Sequence, residues 1–330
     1  MAESFNSSRT RQTRLAAPSF AAALIACVLA SGCAASRPAP QQGWPRYSLS
    51  AQRTIRLNLP GGRPFDASGL WRFPSGQFLT VNNRHAGVYR VEFLADGQNA
   101  NLARVEDCFN ATQLSALGTR AGEELDCEGL AADERGRIYL CEESRRWILR
   151  CAPGANRAER LPIDWSPVQK FFSAADPNAS FEGIAIGGDT LFVANERNSP
   201  LIIAVDLNTL KVRNHFTVYP TSPSWLGTHY SDLVWFKDRL WVLLRHERVV
   251  LEVDPRRPTV LAEYDFRALE DELGYQKHFP TGIMEGLWVD RDGIWLLTDN
   301  NGLGLQTAPA DRRPTLVQCG WPMAQPKESK

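Results

Sequence analysis

The sequence predicts an all-β chain folded as a β-propeller, and three observations predict it. One short pattern recurs five times, as Ser68-Gly69-Leu70, Glu128-Gly129-Leu130, Glu182-Gly183-Ile184, Ser231-Asp232-Leu233 and Glu285-Gly286-Leu287. The copies stand about 50–60 residues apart, the period of a repeat architecture. Each is followed by a second apolar run ending in polar residues: Phe78–Arg84, Ile138–Ser144, Leu191–Arg197, Leu240–His246 and Ile294–Asn300. Finally, Tyr139, Phe192, Trp241 and Trp295 share one register in these second runs, with Leu79 in the first copy. Strand side chains alternate between faces, so these large groups leave the same face of each sheet and can fill the space between sheets.

In chain order, residues 1–33 read as a leader. Arg9, Arg11 and Arg14 form a basic start and Phe20–Leu29 an apolar core, followed by Leu29-Ala30-Ser31-Gly32-Cys33. Small residues before a cysteine resemble a bacterial lipobox, which predicts lipidation of Cys33 and a lipid anchor to the membrane. An ordinary secretory signal cut after Ala34 or Ala35 is the alternative. Ala34 after Cys33 points to the periplasmic side of the outer membrane, the alternative being a soluble periplasmic or secreted protein. Residues 34–52, rich in Pro, Gln and Ser towards their start, read as a flexible tether, residues 53–324 as the propeller and 325–330 as a disordered tail.

The third copy shows how one repeat is built. Glu182–Ile186 reads as a strand, Gly187-Gly188-Asp189 as a tight turn and Thr190–Ala194 as a second strand. A turn through Asn195–Pro200 leads to a third strand, Leu201–Val205, with a looser fourth around Val212–Val218. Four antiparallel strands per repeat make a propeller blade. Five repeats predict five blades, or six if the spacers before Glu128 or Glu285 hide a degenerate one. Arg53–Leu59 has no copy of its own and is expected to pair near Thr315–Gln318 to close the ring. Cys108–Glu124 reads as an insertion.

The chain balances 37 basic against 37 acidic residues. Without residues 1–32 the counts are 34 and 36, a net of −2, which excludes a nucleic-acid footprint. Five cysteines follow Cys33: Cys108, Cys127, Cys141, Cys151 and Cys319. An exported chain permits disulfides, and either Cys127–Cys141 or Cys108–Cys127 fits the strand order. No C-x-x-C or clustered His suggests zinc, and no G-x-S-x-G elbow suggests a serine hydrolase.

In a propeller the first strand of each blade lines the central channel. The residue before the repeat's Gly is therefore one structural position five times over: Ser68, Glu128, Glu182, Ser231 and Glu285. A second tier, at the ends of the second strands, is Asn83, Glu143, Glu196, Arg245 and Asp299, and Asp232 replaces one repeat Gly. Carboxylates crowded in a channel protonate or recruit a cation, and oxygen ligands without His or Cys favour Ca²⁺ or Mg²⁺ over zinc or copper, with Ca²⁺ the expected ion. The expected metal ligands are Glu128, Glu182, Glu285, Glu196 and Asp299. Alternatively, the glutamates are structural and bond neighbouring backbone. Arg84, Arg145, Arg197 and Arg245 fall at the same exit turns and suit an anionic substrate or inter-blade ion pairs. His85, His229 and His246 lie near the mouth, and His229 stands two residues before Ser231. Glu182, Glu285, Arg197 and Arg245 are the catalytic candidates.

At Ser231–Arg245, Phe181–Arg197 and Met284–Asn301 the chain resembles the esterase-like-activity-of-phytase family, and it is similar in its repeats to the SdiA-regulated propellers. The resemblance covers about Asp66–Gln306. It implies an exported propeller, in some members associated with Ca²⁺ and phosphoester hydrolysis. Ser68 and Ser231 thin the acidic ring, and Asn83 stands where the family has Asp. Two functions are expected to compete: a divalent-metal-dependent esterase or phosphoesterase, and a non-catalytic envelope propeller that binds a protein or small ligand.

Overall fold

The computed structural model describes residues 43–322 apart from 63, 84–86, 119–124, 156, 177 and 277–280. The leader with Cys33, residues 34–42 of the tether, Arg84, His85, His278 and the tail lie outside the described residues.

The chain runs β1 (Arg46–Ser48), β2 (Ala51–Asn58), β3 (Ala67–Arg72), β4 (Phe78–Asn82), β5 (Val88–Phe93), β6 (Asn99–Arg104), α1 (Ala111–Ser115), β7 (Cys127–Ala132), β8 (Ile138–Glu142), β9 (Trp147–Cys151) and β10 (Ala158–Arg160). It continues with β11 (Phe181–Gly187), β12 (Thr190–Asn195), β13 (Leu201–Asp206), β14 (Lys211–Phe216), β15 (Tyr230–Phe236), β16 (Arg239–Leu244), β17 (Val249–Asp254) and β18 (Thr259–Asp265). Last come α2 (Arg267–Glu272), β19 (Met284–Asp290), β20 (Gly293–Thr298) and β21 (Thr315–Cys319). Among the described residues helix is confined to α1, α2 and one 3₁₀ turn, and no helix is long and apolar enough to cross a membrane.

The strands form four sheets, ordered β10-β9-β8-β7, β11-β12-β13-β14, β1-β18-β17-β16-β15 and β19-β20-β21-β2-β6-β5-β4-β3. The eight-stranded sheet is two antiparallel four-strand units joined where β2 runs parallel to β6. In the second unit β2 pairs antiparallel with β21, Arg56 opposite Thr315. The segment preceding the first repeat thus completes the sheet begun by the last. Residues 46–52 of the expected tether are part of this fold. β1 lies parallel to β18, Arg46 bridges Glu263 at 2.9 Å and Tyr47 stacks on Tyr264, which is enough to hold an otherwise polar edge.

The core consists of five apolar clusters, each filling the space between two successive four-strand units. The register aromatics lie inside them: Tyr139, Phe192, Trp241 and Trp295 are all buried, and Phe192 stacks on Trp235 of the next sheet at 5.5 Å. The innermost strands touch in the cyclic order β3, β7, β11, β15, β19 and back to β3. The architecture is all-β and propeller-like.

The repeated pattern has a structural meaning. In all five inner strands the ladder to the second strand slips at the motif, between Ser68 and Leu70, Cys127 and Gly129, Phe181 and Ile184, Tyr230 and Asp232, and Met284 and Gly286. Such bulges re-aim a side chain out of the regular alternation. The Gly is required because the next inner strand passes against it. A Cβ on Gly183 would lie 2.5 Å from Asp232 Cα, and one on Gly129 would lie 2.7 Å from the Glu182 carbonyl oxygen. Gly183→Ala is therefore expected to cost about 3 kcal/mol, the upper end for overpacking, because backbone must move. Gly188→Ala, at φ +59° in an open turn, should cost about 1 kcal/mol. Urea denaturation of the two variants checks this; equal costs would contradict the close approach.

Candidate functional site

The bulges bring the five first-tier residues to one mouth, each buried. The exit turns of the second strands are tied back to the same strands. Asn83, Glu143, Glu196 and Asp299 donate their backbone N–H to the carbonyls of Asp66 (3.1 Å), Asp126 (2.8 Å), Ser180 (2.7 Å) and Ile283 (2.8 Å). The residue two before the first-tier position thus fixes the second-tier residue, and in the first two repeats it adds an Asp of its own.

The carboxylates separate into two groups. On one side Asp126, Glu128 and Glu143 bring oxygens within 4.8 Å of one another, as do Glu143, Glu182 and Glu196. Glu143 belongs to both triads, and its buried Oε1 has no hydrogen-bond partner. Its backbone carbonyl accepts the Ser180 hydroxyl at 2.7 Å. On the other side Glu285 pairs with Arg245 Nη1, while Arg245 Nε donates to the Gly282 carbonyl at 2.9 Å. Asp299 lies within the electrostatic reach of Glu285, Asp66 and Arg245. Of the expected ligand set, Glu128, Glu182 and Glu196 fall in the triads, whereas Glu285 and Asp299 lie with Arg245.

Burial dominates the electrostatics. It pushes the carboxyls of Glu128 and Glu182 well above the usual range, helped by repulsion from Asp126 in the first case and from Glu128 and Glu143 in the second. Glu143 rises to about 8 through burial and the neighbouring Asp126, and Asp299 to about 7 through burial and Glu285. Glu285 rises less, since Arg245 and Ser231 oppose its burial. A mouth holding these groups as anions requires positive charge beyond Arg197 and Arg245.

His229 and His246 stack with ring centroids 3.5 Å apart, and burial drops both to about 3, so both are neutral near pH 7. His229 Nδ1 stands 3.0 Å from Glu196 Oε1, without the alignment of a hydrogen bond. Arg197 pairs with Glu196 and reaches Asp176 at 3.5 Å. Arg145 leaves the mouth: it binds Glu142 at 2.8 Å and lies over the Trp147 ring. Glu247 accepts the Ser224 N–H at 3.3 Å, in the loop that carries Trp225, 79% exposed.

Asp232 stands at the repeat position otherwise held by Gly. It is fully buried and accepts the N–H of Leu233 and, from the neighbouring inner strand β19, of Leu287, both at 2.8 Å. These backbone bonds set it apart from the triads.

Sequence reasoning left Asp126 out of the site, did not pair His229 with His246 and placed Glu143 only in the second tier. One signal was available: Asp66 and Asp126 both precede their first-tier residue by two positions, as does His229.

Residues 41–302 match the Phytase-like family, described as esterase-like activity of phytase. A search of curated proteins finds no match. Among solved structures, glutaminyl cyclase from Myxococcus xanthus is similar, with a TM-score of 0.55 at 15% identity over 84% of this chain and 99% of its own. Virginiamycin B lyase from Staphylococcus aureus aligns at a TM-score of 0.39 and 12% identity, over 76% of this chain and 66% of its own. A luciferin-regenerating enzyme aligns at 0.43 and 10%, over 80% and 82%. The likeness to the cyclase is one of fold.

Proposed function

The chain belongs to the Phytase-like family, esterase-like activity of phytase, and from that premise we propose an exported, five-bladed propeller lipoprotein that hydrolyses an ester or phosphoester with the help of a divalent cation, Ca²⁺ foremost. Five inner strands in cyclic contact, five inter-sheet cores and the pairing of β2 with β21 support the five-blade count. Export and anchoring through Cys33 on the periplasmic side of the outer membrane rest on the leader sequence alone.

The observation that carries the catalytic reading is the pair of carboxylate triads sharing Glu143, whose buried Oε1 lacks a partner. An all-oxygen donor set with an orphaned buried acceptor fits a hard cation. Glu143, Glu182 and Glu196 would hold it, with Asp126 and Glu128 beside them. Bound there, it would polarise an ester and activate water. Arg245 and Arg197 supply the cationic edge for an anionic substrate, their positions set by Glu285 and Glu196. His229, kept neutral by burial, lies beside Glu196 at the edge of the second triad.

Titration calorimetry of the purified protein with Ca²⁺ tests this, run in buffers of different ionisation enthalpy. One ion per chain and release of protons from the raised carboxyls are expected. Glu143→Gln should weaken binding by at least about 100-fold, above the loss typical of outer-shell changes. No binding at millimolar Ca²⁺ would overturn the cation site. Ca²⁺ binding without turnover of aryl phosphoesters or carboxylic esters would favour the second reading, a ligand-binding envelope propeller, for which the exposed Trp225 is the supporting observation.

A further inference from the structure

Cys108 and Cys151, in different repeats and paired by neither sequence expectation, meet in the core between two sheets. Both are buried, and their sulfurs stand 2.6 Å apart. Cys151 ends β9, and Cys108 lies in the turn that opens the insertion between β6 and β7. Cys141, by contrast, is engaged at the ring: its sulfur accepts the Gly129 N–H at 3.1 Å and approaches the Glu182 carbonyl at 3.4 Å.

The segment around Cys108 is otherwise built as a clamp on the turn after β9. Asp107 Oδ2 accepts the Gly154 N–H at 3.0 Å, and Gln113 Nε2 donates to the carbonyls of Asp107 (3.1 Å) and Ala155 (3.2 Å). A capping box between Asn110 and Gln113 starts α1 and orients that amide. Phe109, next to Cys108, is buried at φ +56°, a backbone region that disfavours an aromatic residue. Local sequence does not favour that conformation, so contacts on both sides must impose it.

We propose that Cys108 and Cys151 form a disulfide that staples the insertion to the second blade. Two thiols lose two protons and two electrons to form one S–S bond. The electrons and protons pass to a disulfide oxidant, which is reduced to two thiols; glutathione disulfide serves in vitro. The bond closes a loop of about 44 residues, long enough for substantial stabilisation. The proposal is independent of the cation site.

The full chain is purified without reductant, exposed to glutathione disulfide, alkylated and digested with trypsin under non-reducing conditions. Each of the five cysteines after Cys33 then lies in its own peptide, Cys108 in 105–120 and Cys151 in 151–157. These two peptides are expected to appear linked, with Cys127 and Cys141 alkylated in 121–135 and 138–145. Reduction should lower the melting temperature of the wild type by about 5–10 °C and leave Cys108→Ser unmoved. Alkylated Cys108 and Cys151 in the oxidised wild type, or either one linked elsewhere, would overturn the staple whatever the variant does.

Discussion

Replacing Arg245 with methionine is expected to lower the unfolding free energy by about 3–5 kcal/mol at pH 8, and by distinctly less at pH 5. Arg245 pairs with Glu285, donates to the Gly282 carbonyl and sits in the field of Asp299, Glu182 and Glu128. Removing it leaves Glu285 and Asp299 buried without the guanidinium that opposes their burial. At pH 8 both must remain ionised or take up protons at a cost, whereas at pH 5 protonation relieves them. Asp299, already at about 7 with Arg245 present, rises further without it. Methionine keeps most of the side-chain volume, so the loss reports charge rather than a cavity. Urea denaturation at the two pH values measures it. A pH-independent cost would mean that Arg245 acts through packing alone.

Without a bound cation the protein should be most stable near pH 5–6.5 and lose about 2–3 kcal/mol by pH 8; saturating Ca²⁺ should cancel that loss. The sign follows from proton counts. Glu143 titrates near its ordinary 4.5 when unfolded and at about 8 when folded, and Asp299 near 3.8 and about 7. Between those limits the folded state holds protons that the unfolded state has released, so stability falls as pH rises. His229 and His246 act oppositely. Depressed from 6.5 to about 3, they take up protons only on unfolding, so stability rises with pH between those values. The pairs offset one another up to about pH 6.5, and above it the carboxyls act alone. A cation in the triads replaces the protons, and at 100 times its dissociation constant it adds about 2.7 kcal/mol. Thermal melts from pH 5 to 8, with EDTA or with Ca²⁺, decide the matter. A profile that Ca²⁺ does not change would sink the cation site.

Much of the site could be read from the chain because the repeat carries it. The first-tier position was legible as the residue before Gly, and that Gly recurs for a local reason: a bulge pressed against the next inner strand. The second tier was legible as the end of each second strand. Partnership was not. The repeat gives Glu285 and Glu182 the same position, yet Glu285 meets Arg245 while Glu182 meets Glu143 and Glu196. Asp126 stayed hidden because its position changes from repeat to repeat, through Asp66, Asp126, Ser180, His229 and Ile283.

By itself the sequence determined the strands, their grouping in fours, the aromatic register between sheets and the acidic first tier. Each of these follows from alternation, turn residues and glycine placement within one repeat, where a local pattern is enough. Only the tertiary structure decided that β2 completes the last sheet, that Asp232 bonds the backbone of a neighbouring inner strand, that Glu143 joins two triads, and that Cys108 meets Cys151. These depend on which repeats become neighbours once the ring closes and on the path of each connecting loop. Such contacts join residues tens to hundreds of positions apart, and no local periodicity encodes that distance.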